Sequence, residues 1–256
     1  MRDASVGFQC PECVAEGARS VRAPRTVFGG TVSASEGLVS KVLIGINVAA
    51  FLIMISTGDF TSKIYEYGVM LASGDNMVLA NGDTVSGVAD GAYWRLLTAA
   101  FLHEGLLHIA FNMYALYLFG PLVERALGVK RYLAAYLTIA IGSSVFVYFL
   151  SGPNTFTLGA SGAIFGLFAM ALVFFIKAKQ DVTYLLVMLA INAVISLQGN
   201  ISWQGHLGGF LIGLVVGAGF AYAPRDRRNQ VQVLMFAALW VAIIGGVIIR
   251  TAQLTI

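Results

Sequence analysis

Seven stretches of 16 to 20 largely apolar residues divide this chain of 256, and they constrain its fold more than any other feature. They run Leu38 to Thr57, Leu106 to Glu124, Tyr132 to Leu150, Leu158 to Ile176, Val182 to Leu197, Trp203 to Tyr222 and Val231 to Ile249. A transmembrane helix needs about 20 such residues to cross roughly 30 Å of hydrocarbon. Composition agrees: 58% of residues are hydrophobic and only 11% charged, with a mean hydropathy of +0.80, more than a soluble core requires. The expected fold class is all-α, a polytopic bundle of membrane helices.

The placement of charge sets the orientation, because Lys and Arg concentrate in cytoplasmic loops. With the N-terminus inside, the tail and the loops after the second, fourth and sixth helices hold 13 of the 16 basic residues, including Arg19, Arg22, Arg25, Arg125, Lys130, Arg131, Lys177, Arg227 and Arg228. Lys63, Arg95 and Arg250 are left outside. The basic clusters are thereby accounted for without nucleic acid. The predicted location is the cell membrane, multi-pass, with a cytoplasmic N-terminus and an extracellular C-terminus. A polar tail of more than thirty residues precedes the first apolar stretch, which is too long for a cleavable signal, so it reads as a permanent span.

Both cysteines, Cys10 and Cys13, lie in that tail in "FQCPECVAEG", on the reducing side where disulfides are uncommon. A Cys-x-x-Cys pair is half of a tetrahedral zinc site, and no second pair accompanies it. The favoured reading is two free thiols and no metal. The alternative is a site shared between chains, or a ribbon whose first half lies upstream.

The connection from Gly58 to about Arg95 is long, and its end, "GAYWRLLTAAFLH", puts Tyr93 and Trp94 where aromatic residues anchor at the bilayer interface. An interfacial, partly embedded loop is expected there. Gly205, Gly209, Gly213 and Gly217 recur every four residues along the sixth helix, and Gly162 and Gly166 do so on the fourth. Small residues at this spacing let membrane helices touch backbone to backbone. The fourth and sixth helices are the predicted close pair.

Polar side chains inside a span are costly and generally face a functional interior. Here they are His103, Glu104, His108 and Asn112 around the start of the second helix, Ser161 on the fourth, Asn192 on the fifth and His206 on the sixth. At 1.5 Å per residue from the basic cytoplasmic ends, Ser161 lies roughly 24 Å up, His206 roughly 27 Å, His108 roughly 25 Å and Asn112 roughly 20 Å. These four fall in one slab below the outer boundary. Asn192 lacks such a partner and reads as glue between helices.

Convergence in that slab suggests chemistry. A serine hydroxyl becomes nucleophilic when a histidine takes its proton. His206 shares a face with Gly209 and Gly213 and so points toward the fourth helix. Ser161 opens a short helix, where free backbone N–H groups can stabilise an oxyanion, and the preceding "SGPNTFTLGA" must dip into a shielded cavity. Other chemistries fit poorly. Gly-x-Ser-x-Gly is absent, "HEGLLH" puts its histidines five apart and off a common zinc-binding face, and no aspartate lies in a predicted span.

The pattern resembles the rhomboid family of intramembrane serine proteases, over Trp94 to about Gly213. "YWR" is similar to the family's Trp-Arg motif, "HEGLLHIAFN" to its His-x-x-x-x-His-x-x-x-Asn helix, "GASGAIFG" to its Gly-x-Ser-Gly segment, and "GHLGGFLIG" to its small-His-x-x-Gly-x-x-x-Gly helix. "GPLVERALG", with Glu124 and Arg125, also fits. The resemblance implies Ser161 as nucleophile and His206 as general base, with His108, Asn112 and the Ser161 N–H as oxyanion hole. It makes Gly159, His103, Gly162 and Gly209 supporting residues and "SLQGNISW" (Ser196 to Trp203) a movable cap.

It further implies no cofactor, transmembrane protein substrates and a lipid environment. The expected organisation is a cytoplasmic tail over 1–36, a six-helix core over 37–223, and a basic loop with a seventh helix over 224–256. The tail "ASVGFQCPEC" resembles the end of a cysteine-rich module found in some actinobacterial members, whose earlier cysteines this chain lacks. A non-catalytic rhomboid-like client-binding protein is the alternative, though such a protein would be expected to lose Ser161 or His206. A transporter would call for an inverted repeat, which the sequence does not display.

Overall fold

Where the apolar stretches were read, helices form. The structure, a computed structural model, describes residues 2–3, 7–20, 25–32, 36–80, 82–197 and 201–256. The tail carries a short hairpin, β1 (Arg2–Asp3) with β2 (Phe8–Gln9), then α1 (Pro11–Ser20). Cys10 and Cys13 are exposed and free. The first long helix is α2 (Leu38–Ser56), and α3 (Lys63–Gly68), the hairpin β3 (Met77–Val78) with β4 (Thr84–Val85), and α4 (Arg95–Thr98) follow it. The rest of the bundle is α5 (Leu106–Leu127), α6 (Val129–Leu150), α7 (Ser161–Lys177), α8 (Thr183–Ser196), α9 (Trp203–Ala221) and α10 (Arg228–Leu254).

By length and composition α2, α5, α6, α9 and α10 can each cross a membrane, while α7 and α8 are shorter apolar helices of 17 and 14 residues. The buried centre is α7, wrapped by α5, α6 and α9, and its contact with α9 is the most extensive between any two helices. The glycine ladder explains why. A Cβ on Gly209 would fall 1.8 Å from the Gly162 carbonyl oxygen, and one on Gly213 would fall 2.4 Å from that of Gly166. The two backbones touch, as small residues in membrane helices permit. At the rim, α8 buries only Leu185 and Ser196, and α10 only Gln232 and Ile243.

At the opposite end from Ser161, the α2 start lacks a side-chain cap of its own and borrows one. The buried Glu124 carboxylate of α5 accepts from the Val39 N–H (2.9 Å), the Ser40 N–H (3.0 Å) and the Ser40 hydroxyl (2.8 Å). Unpaired N–H groups at a helix start need such acceptors, and a buried carboxylate needs such donors.

Two expectations need correction. The fourth span does not begin as a helix at Leu158. Gly159 has φ +129°, outside the helical region, and its N–H bonds the Ala99 carbonyl, while Thr157 pairs with Met70 in an antiparallel bridge. The chain turns helical only at Ala160, and these partners satisfy the backbone before it. Nor, among the described residues, does Asn192 bond a second helix: its amide donates to the Met188 carbonyl of α8 itself, 2.8 Å away. The cap predicted over Ser196 to Trp203 lies partly outside the described residues, which omit 198–200.

The long connection after α2 is an ordered subdomain with one cation at its centre. Arg95 is fully buried and donates to the carbonyls of Ser86 (2.8 Å), Val69 (2.7 Å) and Glu66 (2.7 Å). Burial lowers its guanidinium to about 10, so it stays charged at neutral pH. Tyr93 and Trp94 beside it remain half-exposed.

Candidate active site

Each polar residue of the predicted slab is held by a different local device. Ser161 is the first residue of α7, delivered by the extended turn at Gly159. His206 lies in the first turn of α9, whose start is capped by the Ser202 hydroxyl accepting from the Gly205 N–H. The glycine contact between α7 and α9 then sets the distance between the two. His206 Nε2 is 2.7 Å from Ser161 Oγ, a hydrogen bond between residues 45 apart in sequence. Both are partly buried.

The imidazole is gripped on two further sides. The Phe165 ring, one turn along α7 from Ser161, stacks on His206 with centroids 4.1 Å apart and planes 12° from parallel. On the other edge, His206 Nδ1 lies 2.5 Å from the Ser196 hydroxyl of α8. Neither Phe165 nor Ser196 was singled out as a site residue by sequence reasoning. For Phe165 a signal existed, since i and i+4 on one helix share a face. Ser196 sits on another helix with no local motif.

His108 approaches from α5. Its Nδ1 accepts from the Glu104 N–H at 3.3 Å, across a turn that Gly105 permits with φ +124°. A neutral imidazole whose Nδ1 accepts carries its proton on Nε2, so His108 Nε2–H is a donor. That atom and Ser161 Oγ lie 2.9 Å and 3.6 Å from the point where a Cβ on Gly159 would stand. Only glycine leaves that space open, and only glycine takes that φ readily. Asn112, one turn on, is buried and donates to the His108 carbonyl at 2.9 Å, with a second amide hydrogen remaining. His103 is fully buried and meets His108 edge to face, centroids 5.0 Å apart.

Gly162 sits under the dyad, where a Cβ would fall 2.4 Å from Ser143 Oγ. A cavity of about 30 Å³ adjoins Ser161, lined in part by Ser143, Ser144, Gly159, Ser202 and Gly205. Met70, Val147 and Leu158 add apolar wall to these polar groups, and the space is the size of about one water molecule. A serine hydroxyl hydrogen-bonded to an imidazole, beside a helix N-terminus and a second imidazole N–H, is an arrangement suited to acyl transfer.

The fold is a bundle of apolar helices, several long enough to cross a membrane, and the geometry of its site suits a hydrolase of the serine type. The rhomboid domain family matches residues 90–223, from the end of the long connection through α9. Among similar proteins, the rhomboid relative YdcA of Bacillus subtilis is 36% identical over 145 residues, covering 51% of this chain and 72% of the relative. Rhomboid protease AarA of Providencia stuartii is 27% identical over 199 residues, 64% of this chain and 71% of the relative. Rhomboid protease GluP of Bacillus subtilis is 39% identical over 160 residues, 59% of this chain but only 31% of that longer protein. The chain belongs to the rhomboid family and is a peptide hydrolase.

Proposed function

We propose that this protein is an intramembrane serine endopeptidase that cleaves transmembrane protein substrates in or near the outer half of the bilayer, with Ser161 and His206 as its catalytic dyad. The observation that carries this reading is the 2.7 Å hydrogen bond between Ser161 Oγ and His206 Nε2. In the first step Nε2 takes the Ser161 proton as Oγ attacks the scissile carbonyl carbon. The developing oxyanion is held by His108 Nε2–H, the free Asn112 amide hydrogen and the Ser161 backbone N–H, and each such donor is worth about 10²–10³ in rate. Protonated His206 then gives its proton to the leaving amine, leaving an ester on Ser161. A water deprotonated by His206 hydrolyses that ester and restores the dyad. No metal or cofactor takes part.

Gly159, Gly162 and Gly209 serve this chemistry by allowing close approach, and His103 by supporting the His108 ring. The chain divides into a cytoplasmic tail over 1–36, a six-helix core over 37–223 and a basic loop with a seventh helix over 224–256. The excess of Lys and Arg on one side supports a cell-membrane protein with its N-terminus in the cytoplasm and its C-terminus outside. Its surroundings are lipid, and nucleic acid has no part.

Replacing Ser161 with Ala should abolish cleavage of a model transmembrane substrate and labelling by a fluorophosphonate probe. Unchanged cleavage by that variant would refute the dyad and favour a client-binding role.

A further inference from the structure

Ser196 stands in the last turn of α8, a helix that otherwise shows most of its surface to the surroundings, yet its own side chain is buried, 4% exposed. Its Oγ makes two short contacts. One is to the Asn192 carbonyl a turn earlier, at 2.6 Å, and the other is to His206 Nδ1, at 2.5 Å. A hydroxyl has one proton, and a carbonyl oxygen can only accept. The Ser196 proton therefore goes to Asn192, and Oγ must accept from Nδ1. Nδ1 then carries a hydrogen, and a neutral imidazole has only one to carry. His206 Nε2 is left with its lone pair toward Ser161.

From this geometry we infer that Ser196 is a positioning residue for the dyad, selecting the Nδ1–H tautomer of His206 and fixing the ring so that Nε2 is the base. The inference rests on the Ser161/His206 reading and deepens it. The hydrogen bonds form one directed chain: Ser161 O–H to Nε2, Nδ1–H to Ser196 Oγ, Ser196 O–H to the Asn192 carbonyl. The opposite tautomer would present an N–H to Ser161 and could not take its proton. Phe165 holds the face of the ring but cannot choose between tautomers, because stacking does not distinguish the two nitrogens. Only a polar partner at Nδ1 makes that choice, and Ser196 occupies the position.

When Nε2 takes the Ser161 proton, the ring becomes cationic and the same contact stabilises it. Ser196 lies at the C-terminal end of α8, where the helix dipole favours positive charge. The contact is also the one side-chain hydrogen bond from α8 to another helix among the described residues. A rim helix thus reaches the base through a single hydroxyl.

The test compares wild type with Ser196→Ala, and Ser196→Thr with Ser196→Val, a pair of nearly equal shape that differs in the hydroxyl. Cleavage of a model transmembrane substrate gives kcat and KM separately, and fluorophosphonate labelling reads Ser161 directly. Ser196→Ala should lose about 10- to 100-fold in kcat and in labelling rate, since general-base catalysis is worth about 10²–10⁴ in all, with KM and thermal midpoint unchanged. Ser196→Thr should exceed Ser196→Val by about tenfold in both rates, on the same basis. The ¹⁵N resonances of His206 should show a protonated Nδ1 and a bare Nε2 in wild type, and mixed tautomers in Ser196→Ala.

Wild-type labelling and kcat in Ser196→Ala, equal rates for the Thr and Val variants, or an Nε2–H tautomer in wild type would each overturn the assignment. Should Ser196→Ala fail to fold, the Thr and Val pair decides. Absence of Ser161 labelling in the wild-type protein would instead sink the dyad itself.

Discussion

Consider Gly209, the glycine that sits against the start of α7. A Cβ there would stand 1.8 Å from the Gly162 carbonyl oxygen, where ordinary contact begins at 3.4 Å. Backbone cannot swing aside as a side-chain tip can, so α7 and α9 must part by about 1.6 Å for that one atom. Both members of the dyad ride on these helices close to the contact, Ser161 next to Gly162 and His206 one turn before Gly209. Their 2.7 Å hydrogen bond would be stretched past any useful length.

A displacement of about 1 Å at a reacting pair can cost on the order of 10² in rate, and overpacking costs about 2–3 kcal/mol of stability. Gly209→Leu should therefore lower both cleavage and Ser161 labelling by at least about 100-fold, with a reduced thermal midpoint. Gly245→Ala in α10, where a Cβ meets nothing within 4 Å, is the matched control and should change neither. Full activity and stability in Gly209→Leu would refute the backbone contact as the spacer of the dyad.

Gly159→Ala should strike activity while sparing the bundle. Its Cβ would crowd His108 Nε2 at 2.9 Å, and φ +129° strains any side chain, so kcat should fall about 10²-fold or more, as for loss of an oxyanion donor, with a stability loss of only about 1–3 kcal/mol from the backbone strain. Arg95→Ala should do the reverse first. Three carbonyls lose their donor inside the subdomain, a loss of about 3 kcal/mol or more, and thermal unfolding or limited proteolysis of residues 57–105 should report it.

Much of this site was legible because its ingredients obey local rules. Ser161 with Gly162 and Gly166, and His206 with Gly209 and Gly213, carry the period of a helix face, and that period names the surfaces that touch. Distance along a helix is also local, a count of residues from the basic end, so Ser161 and His206 could be paired before any contact was known. Other features were not legible, for a common reason. Leu158 is apolar and was joined to the following helix, but the Gly159 φ and its bond to Ala99 come from a chain segment 60 residues away. Arg95 is one of three basic residues outside the predicted cytoplasmic segments, and its burial was not legible because its partners, 9 to 29 residues earlier, are carbonyls that leave no mark in the sequence.

The sequence alone determined that this chain is a bundle of membrane helices, that the helices of Ser161 and His206 form the close pair, and which serine and histidine to set side by side. Each follows from hydrophobic length, glycine period or residue count, all properties of a single segment. Only the tertiary structure decided how each helix is turned about its axis. That rotation brings Ser161 Oγ to 2.7 Å from His206 Nε2, stacks Phe165 on the ring, and sets the Ser196 hydroxyl against Nδ1. Hydrogen bonds tolerate only a few tenths of an ångström, whereas hydropathy fixes a helix to within a turn. The finer choice is made by packing between segments that the sequence keeps apart.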